Sequence, residues 1–167
     1  DEGMVVKKEK VEERAAFDYR VFWTWDNRIT WGEENSRICW AEVFVDDYKR
    51  LIDFCAQSRI NAIIIWGFLR DEHGGVDAAQ ELCNYAKSRG VRLLPGVGTS
   101  RYGGFYFSGN HPFSSIKWLE QHPDYALINI KGERAYDRLC PSKEENIKWL
   151  MDGTRWLIEN FDIGGVN

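Results

Sequence analysis

Short polar runs follow several apolar stretches of this chain, and their side chains could hold a ligand. An indole ring stacks on the apolar face of a sugar, while carboxylate, amide and guanidinium groups bind its hydroxyls. These residue types recur together at the predicted strand ends, so the sequence predicts a carbohydrate-binding site. The candidate substrate-binding residues are Trp25, Asp26, Asn27, Arg28, Trp66, Arg70, Arg101, Tyr102, His111 and Asn167.

Several of these residue types also have a purely structural interpretation. Asp26 and Asn27 could form an exposed turn, and the aromatic side chains could fill a core. We favour the site for Trp25 and Trp66 but the core for three other tryptophans. His73 and His122 lie in polar stretches, and we expect them to be solvated rather than catalytic. The tryptophans assigned to the core are Trp23, Trp149 and Trp156.

The elements that must position these side chains are predicted to be parallel strands. Strands buried on both faces are near-continuous apolar runs, as in the three consecutive isoleucines that begin at Ile63. We predict strands near 21–26, 61–67, 91–97 and 162–166, neighbouring one another in that order. Ligands of such sheets bind outside the carboxyl ends of the strands, where the candidate residues lie.

Helices are predicted between the strands from apolar residues at helical spacing. The first contains Phe44 to Cys55, the second runs from an N-cap at Asp77 to Gly90, and the third begins with a capping box between Ser142 and Glu145. The predicted apolar stripe of the third helix consists of Ile147, Leu150, Met151, Thr154, Leu157 and Ile158.

Between the third strand and the third of these helices, the chain makes a longer excursion. A short helix is predicted around Ser115 to Gln121, followed by a hairpin from Ala126 to Tyr136. The hairpin is predicted to turn at Lys131 and Gly132.

This alternation predicts an α/β protein: a parallel β/α (TIM-type) barrel truncated to about its first four strands. A complete eight-stranded barrel usually needs about 250 residues, and this chain has 167. We assign residues 1–18 to a charged tail or linker and residues 19–167 to the amino-terminal half of a barrel catalytic domain. A doubly wound open sheet is the rival fold. Exposed sheet edges predict either a homo-oligomer or a missing carboxyl-terminal half-barrel as partner.

Composition limits the other partners. The net charge of −4 argues against nucleic-acid binding, and no apolar run has the length of a membrane span. The cysteines are too far apart for a thiolate zinc site, so we expect neither metal nor cofactor. The sequence does not decide whether Cys39 and Cys140 form a disulfide. A periplasmic or extracellular location is favoured over a cytoplasmic one.

Three segments resemble a known family. Trp25-Asp26-Asn27 after an apolar strand, Asp47 to Arg50 and Ser58 to Ala62 resemble the barrel opening of the microbial α-glucuronidases and, more loosely, the hexosaminidase-type barrel. Leu139 to Ser142 and Asn160 to Asn167 resemble uncharacterised bacterial proteins of the same wider glycoside hydrolase group. The resemblance implies carbohydrate chemistry on a β/α barrel.

The same resemblance implies hydrolysis by two carboxylates, at least one of which generally follows strand four or a later strand. We therefore interpret Asp26 and Asp71 as substrate-holding residues and expect no turnover by this chain alone. The alternative is a non-catalytic carbohydrate-binding or structural barrel module. An aldolase or isomerase barrel would need a lysine at a strand end, and the sequence has none there.

Overall fold

The protein is described by a computed structural model that covers residues 14–23, 43–98 and 109–167. Its centre is a three-stranded parallel sheet ordered β1-β2-β3. The strands are β1 (Val21–Trp23), β2 (Ala62–Ile65) and β3 (Arg92–Pro95). Val21 pairs with Ala62, and Ile65 pairs with Pro95. The predicted parallel order of the first three strands is confirmed.

The predicted fourth strand, 162–166, is not a regular strand, but its chain runs beside β3. The Gly164 N–H donates to the Leu93 carbonyl at 2.8 Å, and the Asn167 N–H donates to the Pro95 carbonyl at 3.0 Å. Between these two hydrogen bonds the chain advances three residues from Gly164 to Asn167, whereas β3 advances only two residues from Leu93 to Pro95. The pairing is therefore irregular. Gly165 lies between these bonds in a left-handed conformation, with φ of 147°, which a strand residue would not adopt.

Two helices connect the strands: α1 (Phe44–Gln57) and α2 (Gly75–Ser88). Each buries an apolar stripe, as predicted, because residues three or four apart share a helix face. The stripes pack with Ile63, Ile65 and Leu93 of the sheet into the main core. The buried helix residues there are Phe44, Tyr48, Ile52, Cys55, Ala79, Leu82, Cys83 and Ala86.

The predicted start of α2 is wrong by several residues. The N-cap is Gly74, which has φ of 96°, and Asp77 lies inside the first turn. A Cβ on Gly74 would come within 2.7 Å of the Ala78 Cβ. The tight loop before α2 therefore begins the helix early, and Asp77 contributes as a first-turn carboxylate instead.

The excursion forms α3 (Ser115–Gln121) and an antiparallel hairpin of β4 (Ala126–Ile128) and β5 (Arg134–Leu139). Both were predicted, and Gly132 in the turn has φ of 81°. These elements close a smaller second core over the last helix, α4 (Glu144–Asn160). Its buried residues are Leu119, Ala126, Leu139, Trp149 and Leu150.

The predicted capping box and stripe of α4 are both corrected by this second core. Lys143 is the N-cap, and no side chain caps the helix. Asn146 is fully buried: its Nδ2 donates to the carbonyls of Tyr125 and Cys140, and its Oδ1 accepts from the Trp118 indole. Satisfying this amide turns the helix so that three predicted stripe residues are exposed: Ile147, Met151 and Ile158.

The sheet face opposite the helices is partly open. Trp23 is 56% exposed, so its assignment to the core is wrong, whereas Trp149 is buried and Trp156 packs against the main core. Ile64 and Leu94 pair in register on the same face as Trp23 and are half-buried. Closure of this face by a homo-oligomer or a second half-barrel stays a prediction.

None of the helices in the described ranges is long and apolar enough to cross a bilayer.

Candidate functional site

The carboxyl ends of β2 and β3 bring one candidate aromatic residue to the sheet edge. Trp66 directly follows β2, and the register of the two strands places it opposite Gly96. The Gly96 N–H donates to the Ile65 carbonyl at 2.9 Å. A Cβ on Gly96 would meet the indole carbons of Trp66 at 2.6 Å. The half-buried indole therefore rests on glycine backbone, which no larger residue would allow.

Asn167 lies on the other side of β3 at the same edge. Beyond its bond to Pro95, its carbonyl accepts from the Val97 N–H at 2.8 Å. The residue is exposed. The structure thus brings Trp66 and Asn167 to opposite sides of the end of β3, as the parallel strand order predicted.

Arg70 is held in a tight loop after β2. Its carbonyl accepts from the N–H groups of His73 and Gly75, at 3.0 and 2.9 Å. Its side chain is only 7% exposed, and Nη1 lies 3.7 Å from the Glu72 carboxylate. The guanidinium charge is therefore balanced locally, as a buried cation requires.

His73 is buried, which corrects the prediction that it is solvated. Its ring stacks on Phe44 with 3.9 Å between centroids, and Nδ1 lies 2.7 Å from the Gly67 carbonyl. A carbonyl only accepts, so Nδ1 carries the proton. The histidine closes the loop that contains Arg70. His122, the other histidine predicted to be solvated, is half-buried and stacks on Tyr125.

His111 reaches the same region through Asp71. The Asp71 carboxylate accepts from the Asn110 N–H at 2.8 Å, and a Cβ on Gly109 would collide with that carboxylate. The His111 ring packs against Trp156, with 4.5 Å between centroids. Burial lowers the pKa of His111, while the nearby Asp71 opposes that shift. At neutral pH the imidazole is therefore a neutral hydrogen-bonding group.

The structure shows where some of the candidate residues lie, and their role in sugar binding stays a prediction. It brings Trp66 and Asn167 to one sheet edge, and it links the Arg70 loop to His111 through Asp71. The remaining candidates lie outside the described residues, so their place in the site stays a prediction. These are Trp25, Asp26, Asn27, Arg28, Arg101 and Tyr102.

Sequence reasoning missed the glycines that shape this region. Gly96 makes room for Trp66, and Gly109 makes room for the Asp71 carboxylate. The signal for Gly96 was available, since pairing Ile65 with Pro95 places Trp66 beside a glycine. Gly109 gave no such signal, because its contact joins two loops distant in sequence.

The two carboxylates of the loop after β2 make structural contacts. Asp71 accepts a backbone N–H and Glu72 faces Arg70. Burial raises the pKa of the Cys83 thiol to about 12, so this cysteine is not a nucleophile at neutral pH. Cys140 is a free thiol, and Cys39 lies outside the described residues.

Within the described ranges, no group of three or more His, Cys, Asp or Glu residues is arranged to hold a metal ion.

Comparison with known proteins gives a likeness of fold. No family model matches the chain, and no curated protein sequence matches it. A maltogenic alpha-amylase from Thermotoga neapolitana, AmyB, superposes with a TM-score of 0.57 at 12% identity, covering 87% of this chain and 38% of that one. The galactosidase domain of the alpha-galactosidase-sucrose kinase AgaSK superposes with a TM-score of 0.50 at 17% identity. The match covers 73% of this chain and 18% of that one.

An alpha-amylase from Geobacillus thermoleovorans, solved with acarbose, gives a TM-score of 0.49 at 16% identity, covering 73% of this chain and 33% of that one. This chain therefore spans less than two fifths of the length of each solved structure. The AmyB and AgaSK structures are glycoside hydrolase barrels, and the chain has a fold of that type. The likeness does not single out α-glucuronidases or hexosaminidases.

Proposed function

We propose that this chain forms the substrate-binding part of a carbohydrate-acting β/α barrel, with a sugar bound at the carboxyl ends of its strands. The observation that carries the proposal is the Trp66 indole, which rests on Gly96 at the end of β3 with Asn167 on the other side of that strand. Rigid support for an aromatic face is what ring stacking requires, because the platform loses little entropy when the sugar binds.

On this proposal, Asn167 and His111 supply hydrogen bonds to the sugar. The Asn167 side chain offers both a donor and an acceptor, and the His111 ring is neutral at physiological pH. A pyranose presents hydroxyls around an apolar face, so a flat aromatic and a ring of mixed polar groups match it. The proposal places Trp25 to Arg28 and Arg101 with Tyr102 on the remaining sides of the same sugar.

On this proposal, hydrolysis belongs to a longer parent barrel, and the present chain binds without turnover. The engagement of Asp71 and Glu72 in structural contacts supports a holding role for this region. The second candidate is a non-catalytic carbohydrate-binding module.

The experiment is calorimetry or ligand-observed NMR with a panel of uronic acids, amino sugars, maltosides and galactosides. Trp66→Ala should weaken sugar binding by about 1 to 3 kcal/mol, the scale of one lost stacking and burial contact. Trp25→Ala should have a similar effect, and Asp26→Asn a smaller one, because a charged acceptor binds hydroxyls more strongly than an amide does.

Tyr136→Ala is the matched control. This exposed aromatic residue lies on β5, and its loss should leave sugar binding unchanged. Equal binding by the parent and Trp66→Ala would disprove the site. Hydrolysis by the complete parent protein, with binding only by this chain, would separate the enzyme from the binding module.

A further inference from the structure

A second cleft lies at the amino ends of the strands, opposite the candidate sugar site. Its volume is about 840 Å³. Arg20 immediately precedes β1 and Asn61 immediately precedes β2, and both line the cleft. We call it the arginine cleft, because its lining includes Arg14, Arg20, Arg59 and Arg89.

Two of the four arginines, Arg14 and Arg20, are held without cancelling their charge. Arg20 donates from Nε to the Arg59 carbonyl and from Nη1 to the Phe17 carbonyl, at 2.5 and 2.8 Å. These acceptors are neutral. Arg89 pairs with Asp53 at 2.9 Å, whereas across the described residues neither Arg14 nor Arg20 forms an ion pair with a carboxylate. The cleft is therefore positive on a chain whose net charge is −4.

Arg59 lines the cleft in a backbone conformation that usually favours glycine. It has φ of 58° at the end of α1, where the Ile60 N–H donates to the Cys55 carbonyl. Gly90 has φ of 70° at the end of α2, and the Val91 N–H makes the equivalent bond to Ala86. The two turns match, but only the second uses the glycine that a left-handed residue favours. A non-glycine residue in this conformation is a reason to look for a function at that position.

Helix dipoles do not account for all four arginines. The carboxyl ends of α1 and α2 both face the cleft, and each has a partial negative charge equivalent to roughly half an electron. One cation at each end, Arg59 and Arg89, would suffice to balance them. Arg14 and Arg20 precede β1 and belong to neither helix.

We propose that the arginine cleft binds the phosphate group of a small molecule. Guanidinium groups donate two parallel hydrogen bonds to phosphate oxygens, which a dianion uses better than any neutral ligand. The cleft has the volume of a small-molecule site. Inorganic phosphate and a sugar phosphate share this chemistry. Because the cleft and the sugar site lie at opposite ends of the strands, this site exists independently of the proposed function.

The test is calorimetry on the whole chain with inorganic phosphate, pyrophosphate, glucose 6-phosphate and glucose. Arg14→Gln should weaken pyrophosphate binding severalfold, and so should Arg89→Gln. Raising the salt from about 50 to about 200 mM should weaken binding further, since the contact is ionic. Arg155→Gln is the matched control: this arginine pairs with Asp152 on α4, and its loss should change nothing.

Arg59→Gly separates binding from folding. It removes a charge while relieving the left-handed strain, so pyrophosphate should bind severalfold more weakly although the melting temperature does not fall. Binding of glucose 6-phosphate alone would assign the site to phosphorylated sugars, and equal binding of inorganic phosphate would assign it to the phosphoryl group. Binding of glucose as tight as that of its phosphate, or identical affinities in every variant, would overturn the proposal. So would the absence of binding by the parent at about 10 mM pyrophosphate.

Discussion

The two ends of the parallel sheet differ in chemistry although the same three strands form both. The carboxyl end presents the Trp66 indole, and its arginine, Arg70, is buried beside Glu72. The amino end presents four arginines, and no aromatic residue belongs to the described lining of the arginine cleft. Parallel strands collect all their starts at one edge and all their ends at the other. The fold could therefore keep the proposed sugar site and the proposed anion site on one small sheet without interference.

Glycine also serves the two ends for different physical reasons. Gly96 is needed for space, since a Cβ there would meet the Trp66 ring at 2.6 Å. Gly90 is needed for its torsion, because it has φ of 70° and nothing lies within 4 Å of the point that a Cβ would occupy. Substitutions at these positions should therefore cost free energy through packing at one end and through backbone strain at the other.

The largest effect is expected at the carboxyl end. Gly96→Ala should lower the free energy of unfolding by about 1 to 3 kcal/mol, because an added methyl overpacks against the indole. It should also weaken sugar binding by displacing Trp66. Urea denaturation measures the first effect. The double variant Gly96→Ala/Trp66→Ala should recover part of the stability, and a single variant as stable as the parent would show that the ring lies elsewhere.

A smaller pair of effects is expected at the amino end, with opposite signs. Gly90→Ala should destabilise the chain by about 1 kcal/mol, because an L residue is strained in the left-handed region. Arg59→Gly should stabilise it by up to about 1 kcal/mol for the same reason. Thermal and urea unfolding check both changes. Sugar binding should be unaffected by either variant, and a change in it would break the separation between the two ends.

The smallest effect concerns pH and belongs to the carboxyl end. Burial lowers the pKa of His111 from its ordinary value of 6.5, so the unfolded state binds the proton more readily than the folded state does. Stability from this group is complete above pH 6.5 and is lost as the pH falls toward the lower folded value. Unfolding measured from neutral to mildly acidic pH should show a shallower loss for His111→Gln than for the parent. Arg59→Gly should keep the parent's pH dependence.

The local pattern of apolar residues predicted the helices and strands well where the buried residues form one continuous face of the element. The stripes of α1 and α2 and the hairpin turn at Gly132 are as predicted. The stripe of α4 was only partly right: Leu150 and Leu157 are buried, but the pattern ranked the exposed Ile147 and Met151 above an asparagine. Asn146 is buried by partners on α3, in the turn before the hairpin and in the loop after it, and hydropathy does not register a hydrogen-bonded amide.

In the candidate site, too, the sequence pattern predicted some features, whereas others depend on tertiary contacts. Trp66 and Asn167 were predicted at one edge because parallel strand order alone brings strand ends together. His73 was wrongly expected to be solvated, since its burial depends on stacking against Phe44, far away in sequence. The histidine's polar neighbours concealed that contact.

By itself the sequence determined the order of the elements and the parallel sheet, because apolar periodicity is local and each period selects a helix or a strand. Tertiary structure decided which side chains meet. The Arg20 N–H donates to the Asn61 side chain across a separation of 41 residues, and such a contact joins arginines from separate segments into one cleft. No window of sequence contains both partners, so the anion site becomes visible only when the strands are paired and the helices packed.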